Sequence, residues 1–212
     1  MENTEQTTQQ QETFLDKVYS FAINGIPKVD KPIAMLANEY KSKHKSSEAA
    51  IKEFVKIQRL KTTTTGFITG LGGLLTLPVT IPADLASSLY IELRMIAVIA
   101  ALRGYDLYDD RVKTLVYICI VGNSAGDVLK QVGIKGTNQI AVKKLLPKIS
   151  GEMIKKINQA VGFRFLTKGG SKGLINLGKA IPILGGVVGG IYNYIETNIY
   201  AKKAIKVFNE DA

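Results

Sequence analysis

The feature that most constrains this chain is a run of 22 residues without a charge, TTTTGFITGLGGLLTLPVTIPA at 62–83. A helix of that length would cross about 30 Å of hydrocarbon. Pro78 and Pro82 interrupt it, however, and threonine and glycine dilute its hydrophobicity. A re-entrant or shallowly inserted hairpin fits this pattern better than a simple span. Gly66 and Gly70 stand four residues apart, with Gly73 three further on. That spacing lets a second helix approach closely, because no Cβ stands in the way. A second stretch echoes the first. AIPILGGVVGGIYNYI at 180–195 runs 16 residues without a charge and pairs Gly185 with Gly189 and Gly186 with Gly190. Four glycines in a helix cost roughly 4 kcal/mol against alanine. Close packing must offset that cost, and the expected partner is the glycine segment at 66–73.

The remaining pattern is helical, and period-2 alternation is absent beyond a few residues. Residues 1–12 read as a disordered polar tail, and 13–212 as one helical domain. Phe14, Val18, Phe21 and Ala22 share one face of a first helix that stops near Gly25. Pro32 opens a short second helix to about Tyr40. Ser46 or Ser47 caps a third, with Glu48 in its first turn, where the helix dipole favours an acid. On that third helix Ile51, Phe54, Val55, Gln58 and, at the edge of that face, Ile57 point inward, while Lys52, Lys56, Arg59 and Lys61 face out. Such a basic amphipathic helix either packs on its own domain or lies on a membrane surface.

Pro82 then starts a helix to about Arg103 that is apolar around nearly its whole circumference, closed by Gly104. Burial at the centre of protein or lipid is the expectation. GYDLYDD makes a turn with Asp106 as N-cap, and the next helix is predicted to reach Val132. Two lysine-rich helices follow near 138–146 and 149–161, separated by Pro147. A glycine-rich joint, TKGGSKG, leads to a short helix ending at Lys179, and Pro182 starts the last. The expected fold is an all-α compact bundle of about eight or nine helices. Two glycine-rich apolar helices are expected to pack at its centre.

Composition excludes several kinds of chemistry. One cysteine, Cys119, leaves no disulfide within the chain and no cysteine-rich zinc site. One histidine, His44, excludes a two-histidine metal motif, and it lies in a lysine-rich loop. No bound metal or cofactor is expected, and no catalytic residue is assigned. Lys and Arg number 28 against 18 Asp and Glu, a net charge of +10. The excess sits in two blocks, net +5 over 31–61 and net +11 over 111–180, flanking an uncharged to mildly acidic centre. Nucleic acid is a poor fit, because the basic segments lack interleaved aromatics and known signatures. An anionic membrane surface accounts for the same charge. So does a solvated lysine-rich face. The basic residues assigned to a membrane-facing side are Lys52, Lys56, Arg59, Lys143, Lys144, Lys155 and Lys156.

Charges within apolar surroundings are the remaining candidates. Glu92 and Arg94 lie on the central helix, about 200° apart, so they need partners other than each other. Asp84, Arg103, Asp106, Asp110, Arg111, Asn123 and Asp127 complete the expected buried polar network. It either fixes helix register or lines a polar cavity for a headgroup or an ion. Asp106, Asp109 and Asp110 surround one turn and offer oxygen ligands to a divalent cation. N-capping accounts for the same residues. Cys119 reads as a small core residue.

GFITGLGG…LP…IPADL, the RGYD turn and KAIPILGGVVGG, in that order and at these distances, resemble the core of the EcsC family. The resemblance covers about 30–208, leaving the tail outside. The family is named for a protein encoded beside the subunits of a bacterial ABC transporter, and its members are regarded as membrane-associated. The resemblance implies a non-catalytic helical protein on the cytoplasmic side of the membrane, peripheral or partly inserted. It would contact anionic lipid and assist or regulate a transporter or another membrane protein. Two alternatives remain open: a soluble bundle holding a lipid or other apolar ligand, and a lipid-directed enzyme using the Asp84–Asp110 carboxylates. The start, MENTEQTTQQQET, lacks the basic and apolar regions of a signal peptide, and one free cysteine suits a reducing compartment.

Overall fold

Several described helix ends fall where terminal backbone groups find partners. The computed structural model describes residues 14–27, 30–62, 83–121, 125–134, 146–169 and 198–209, with backbone alone at 59–62, 83–88, 146 and 163–169. Helix α1 spans 14–24 and ends at Gly25, whose φ of +76° suits a residue without a side chain. Helix α2 is Ile33–Lys43. Pro32 sits at its N-cap, one position earlier than the sequence predicts, and its carbonyl accepts from the Leu36 N–H at 3.1 Å. Helix α3 is Ser47–Thr62, and the Ser46 hydroxyl caps it by accepting from the Ala49 N–H at 3.2 Å.

Helix α4 is Ala83–Leu102. It closes in a Schellman motif, with Gly104 N–H donating to Ala101 O and Tyr105 N–H to Ala100 O, both at 3.0 Å. Helix α5 is Asp110–Ile120. Its N-cap is Asp109, whose carboxylate accepts from the Arg111 N–H at 2.7 Å. The sequence assigned that cap to Asp106. Asp106 instead accepts from the Tyr108 N–H at 2.9 Å and ties the preceding turn. Helix α6 is Ala125–Gln131, so the single helix expected up to Val132 is two. A turn of 3-10 helix, Leu146–Lys148, holds Pro147. Helix α7 is Gly151–Gly169, eight residues longer than the sequence predicts at its far end. Helix α8 covers 198–207. Among the described residues there are these eight α-helices and no strand, so the all-α class stands. The two glycine-rich segments, with Gly66, Gly70, Gly73, Gly185, Gly186, Gly189 and Gly190, lie outside the described residues. So do the tail, Asn123, Lys143 and Lys144.

The core is organised around α4. It packs against α2, α3 and α5, and α5 in turn carries α6 and α7. Ile96, Ala97, Val98, Ile99 and Ala100 are five consecutive residues with no exposed surface. At 100° per residue they cover every direction around the axis, so protein surrounds the helix. Each buried Leu or Ile contributes about 1.5–3 kcal/mol. Ile51, Phe54 and Val55 of α3 are buried as their spacing predicts. On α1, Phe14, Val18 and Ala22 are buried, but Phe21 is 37% exposed, because it stands at the edge of that face. Phe208, just beyond α8, stacks edge-on to Tyr105 at 5.2 Å and brings α8 to the end of α4.

Candidate functional site

Helix α1 meets α5 through two tyrosines whose rings lie edge to face, with centroids 5.6 Å apart. Both rings are buried and each hydroxyl needs an acceptor. Tyr19 donates to the Leu107 carbonyl at 2.8 Å, and Tyr117 donates to Asp16 Oδ1 at 2.7 Å. Asp16 is thereby fixed at the edge of the core. One helical turn before Tyr117, the Lys113 ammonium reaches Asp16 Oδ1 at 3.4 Å and Asp110 Oδ1 at 3.0 Å. On the next residue, the Thr114 hydroxyl lies 2.8 Å from the Asp110 carbonyl and 3.3 Å from Asn158 Oδ1.

These side chains open onto a cavity of about 220 Å³ between α1, α5 and α7. Leu15 and Asp16 line it from α1, Asp110, Lys113 and Tyr117 from α5, and Gly151, Ile154, Lys155 and Asn158 from α7. Lys113 stays charged and Tyr117 stays protonated around neutral pH. Burial alone lowers the Lys113 pKa, but Asp110 and Asp16 outweigh that effect and raise it above the ordinary lysine range. Burial, reinforced by Asp16, pushes the Tyr117 hydroxyl well above the ordinary tyrosine range. Neither group is poised to exchange a proton, so the arrangement suits binding rather than acid–base chemistry.

A second polar cluster is closed. Arg94 of α4, 7% exposed, donates through Nη1 to the Ala22 carbonyl at 2.7 Å and through Nη2 to the Lys31 carbonyl. Its Nε lies 3.7 Å from Asp30 Oδ2, which also accepts from the Tyr90 hydroxyl at 2.9 Å. The sequence is right that Arg94 needs a partner but looks for it on the neighbouring helices. The partner is Asp30, in the turn between α1 and α2. A Cβ on Gly25 would come within 2.4 Å of the Asp30 carbonyl oxygen, so this turn folds tightly under the guanidinium. Arg103, whose side chain is 4% exposed, pairs with Glu48 at the start of α3.

The expected buried network is therefore not one network. Arg94 and the Arg103 side chain are enclosed, and Glu92 is half-buried. Asp106, Asp110, Arg111 and Asp127 are exposed instead, because they occupy helix ends and turns where water solvates them. The side chains of Asp84 and Arg59 lie outside those described. Lys52, Lys56, Lys155 and Lys156 are exposed, as the helical spacing predicts. His44 is half-buried and stacks on Tyr40 with ring centroids 6.0 Å apart. Cys119 is fully buried and its thiol is pushed up to about 12 by that burial. Among the described residues no group of three His, Cys, Asp or Glu gathers around a metal position.

Sequence reasoning missed Asp16, Lys113, Tyr117 and Asn158. Lys113 and Tyr117 are four residues apart, so one face of α5 presents both, and that spacing was visible. Nothing local links them to Asp16, 101 residues from Tyr117.

No curated protein and no solved structure matches the chain. The match to the family model begins at residue 3, so the acidic tail that the sequence resemblance left out is largely inside it. Matched over residues 3–210 by the model of the EcsC protein family, the chain belongs to that family.

Proposed function

We propose that this EcsC-family protein works at a membrane surface, without catalysis. It binds anionic lipid through lysine-bearing helices and the uncharged glycine-rich stretches that follow them. One observation carries the reading. Exposed Lys52 and Lys56 on α3 precede the uncharged run at 62–83, and exposed Lys155 and Lys156 on α7 precede the run at 180–195. A lysine held near an anionic surface contributes about 1 kcal/mol, while an uncharged segment beside it can enter the interface. Among the described residues, no helix is long and apolar enough to cross a membrane. Contact through the surface and the two stretches is therefore favoured over a span by any described helix. A role assisting or regulating a transporter or another membrane protein follows from such a position.

Flotation with vesicles tests the reading. The full chain should rise with vesicles rich in phosphatidylglycerol, less so with neutral vesicles, and less as salt increases. The Lys52→Glu, Lys56→Glu double variant should weaken the association severalfold, since both side chains are solvent-exposed and their loss leaves the core intact. A protein that stays wholly at the bottom of the gradient with anionic vesicles at low salt would overturn the proposal.

A further inference from the structure

The cavity between α1, α5 and α7 is electrically lopsided. On one wall Asp16 and Asp110 share a single cation, Lys113, and so carry one negative charge in excess. Both ion pairs use the Oδ1 oxygens. Among the described residues the Oδ2 oxygens of Asp16 and Asp110 take no bond. On the α7 side Lys155 lies in no ion pair among the described residues, and the Asn158 amide nitrogen is likewise uncommitted there. Among the described residues the lining is neutral, with two carboxylates against two ammonium groups. A lone anion would be repelled by the aspartates and a lone cation by Lys155. A molecule carrying both charges satisfies both walls.

We propose that this cavity binds a small zwitterion with a primary ammonium and a phosphate, of the phosphoethanolamine type. The ammonium donates to the free oxygens of Asp16 and Asp110, and the phosphate meets Lys155 and the Asn158 amide. Size and shape support this class. About 220 Å³ is below the roughly 300–1,000 Å³ of drug-sized pockets, which leaves room for a headgroup and not for an acyl chain. The lining also selects the primary amine. A quaternary ammonium cannot donate hydrogen bonds and is held by aromatic cages. Here Tyr117 is the one aromatic side chain in the lining among the described residues. Charge-assisted hydrogen bonds from a primary ammonium to carboxylates favour it by about tenfold or more over its trimethylated counterpart.

The proposal deepens the membrane reading, but a soluble probe tests it without membranes. Glycerophosphoethanolamine and glycerophosphocholine are titrated calorimetrically into the full chain. The ethanolamine compound should bind at least about tenfold more tightly. Two variants then locate the site. Gly151 lines the cavity, and a Cβ there would meet nothing within 4 Å, so Gly151→Leu adds bulk at the cavity from a position with room for its first side-chain atom. Lys155→Gln removes one exposed charge. Each should weaken binding about tenfold with an unchanged melting temperature.

No binding of either probe, equal binding of both, or variants that bind like the parent would each overturn the proposal. Vesicles of fixed anionic content containing phosphatidylethanolamine or phosphatidylcholine separate the two sources of the headgroup. A preference for phosphatidylethanolamine that Gly151→Leu abolishes identifies the lipid. Binding of the soluble probe without such a preference identifies the free compound. Vesicle binding with no soluble-probe binding would leave the membrane reading standing and remove this one.

Discussion

Two regions of this molecule use the same three chemistries, a cation, an aspartate and a tyrosine hydroxyl, to opposite ends. In the first, Arg94 takes two backbone carbonyls and Asp30, while Tyr90 donates to the same carboxylate oxygen. In the second, Lys113 spans Asp16 and Asp110, while Tyr117 donates to Asp16. The difference lies in what is left over. Arg94 sits inside, and its guanidinium fork fits a crowded set of acceptors. Lys113 is a point charge shared by two carboxylates that are 50% and 70% exposed, and both residues line a cavity. Residue types alone do not separate a joint from a binding place. Unused hydrogen-bonding capacity beside open volume does.

The largest effect expected from this contrast is at the closed joint. Arg94→Ala strands Asp30 and two carbonyls, and the loss of one partner of a buried pair costs about 3–5 kcal/mol. Urea unfolding should show this as a large drop in midpoint. Arg94→Lys restores the charge but not the fork and should recover less than half of the loss. A drop under about 1 kcal/mol for Arg94→Ala would mean that the turn holds without its clamp.

Glycine substitutions extend the comparison at the next level. Gly25→Ala, in the turn under Arg94, forces a left-handed residue and meets backbone at 2.4 Å, so it should cost about 2 kcal/mol or more. Gly151→Ala, beside the cavity, meets nothing and should be neutral or stabilising by about 0.5–1 kcal/mol. Equal melting shifts for the two variants would erase the distinction between closed and open regions.

How much of this was legible beforehand differs between the same two places. The helix α4 was readable from its apolar circumference, and Arg94 from the cost of leaving a charge unpaired there. Its partner was not, because Asp30 lies 64 positions away in a turn whose path no local pattern encodes. At the cavity, the sequence places Asp110 in a buried network or at a helix start, and the structure leaves it exposed in the first turn of α5 behind the Asp109 cap. Asp16 went unnoticed, because its role depends on α1 docking against α5. Helix boundaries followed the same rule. Pro32, Gly104 and Ser46 mark ends through their own backbone chemistry. The division between α5 and α6 falls within an uncharged run with no proline to signal it.

Removing single hydroxyls should rank the two regions by burial. Tyr90→Phe takes a donor from Asp30, whose side chain is 18% exposed, and should cost about 1.5–3 kcal/mol. Tyr117→Phe takes one from Asp16, which water reaches, and about 1 kcal/mol is expected. The reverse order in chemical unfolding would show that Asp16 is drier in solution than its exposure implies.

The finest discrimination comes at alkaline pH. Burial, the leading cause for each, raises Tyr19, Tyr90 and Tyr117 above the ordinary tyrosine value of 10.0. The folded state therefore holds these protons more tightly than the unfolded chain. Their contribution is complete below pH 10 and falls away as pH rises toward the folded values, by up to about 1.4 kcal/mol per pH unit for each group. Lys113 acts with the same sign, since its folded value lies above the ordinary 10.5. The closed joint thus loses stability through Tyr90 alone, and the open one through both Tyr117 and Lys113. Tyr117→Phe should visibly flatten the plot of stability against pH above 10. Lys113→Met should flatten it by less than about 1 kcal/mol, because solvent screens a half-exposed ammonium. An alkaline limb steeper in Lys113→Met than in the parent would reverse the sign and show that burial, not its two carboxylates, governs that lysine.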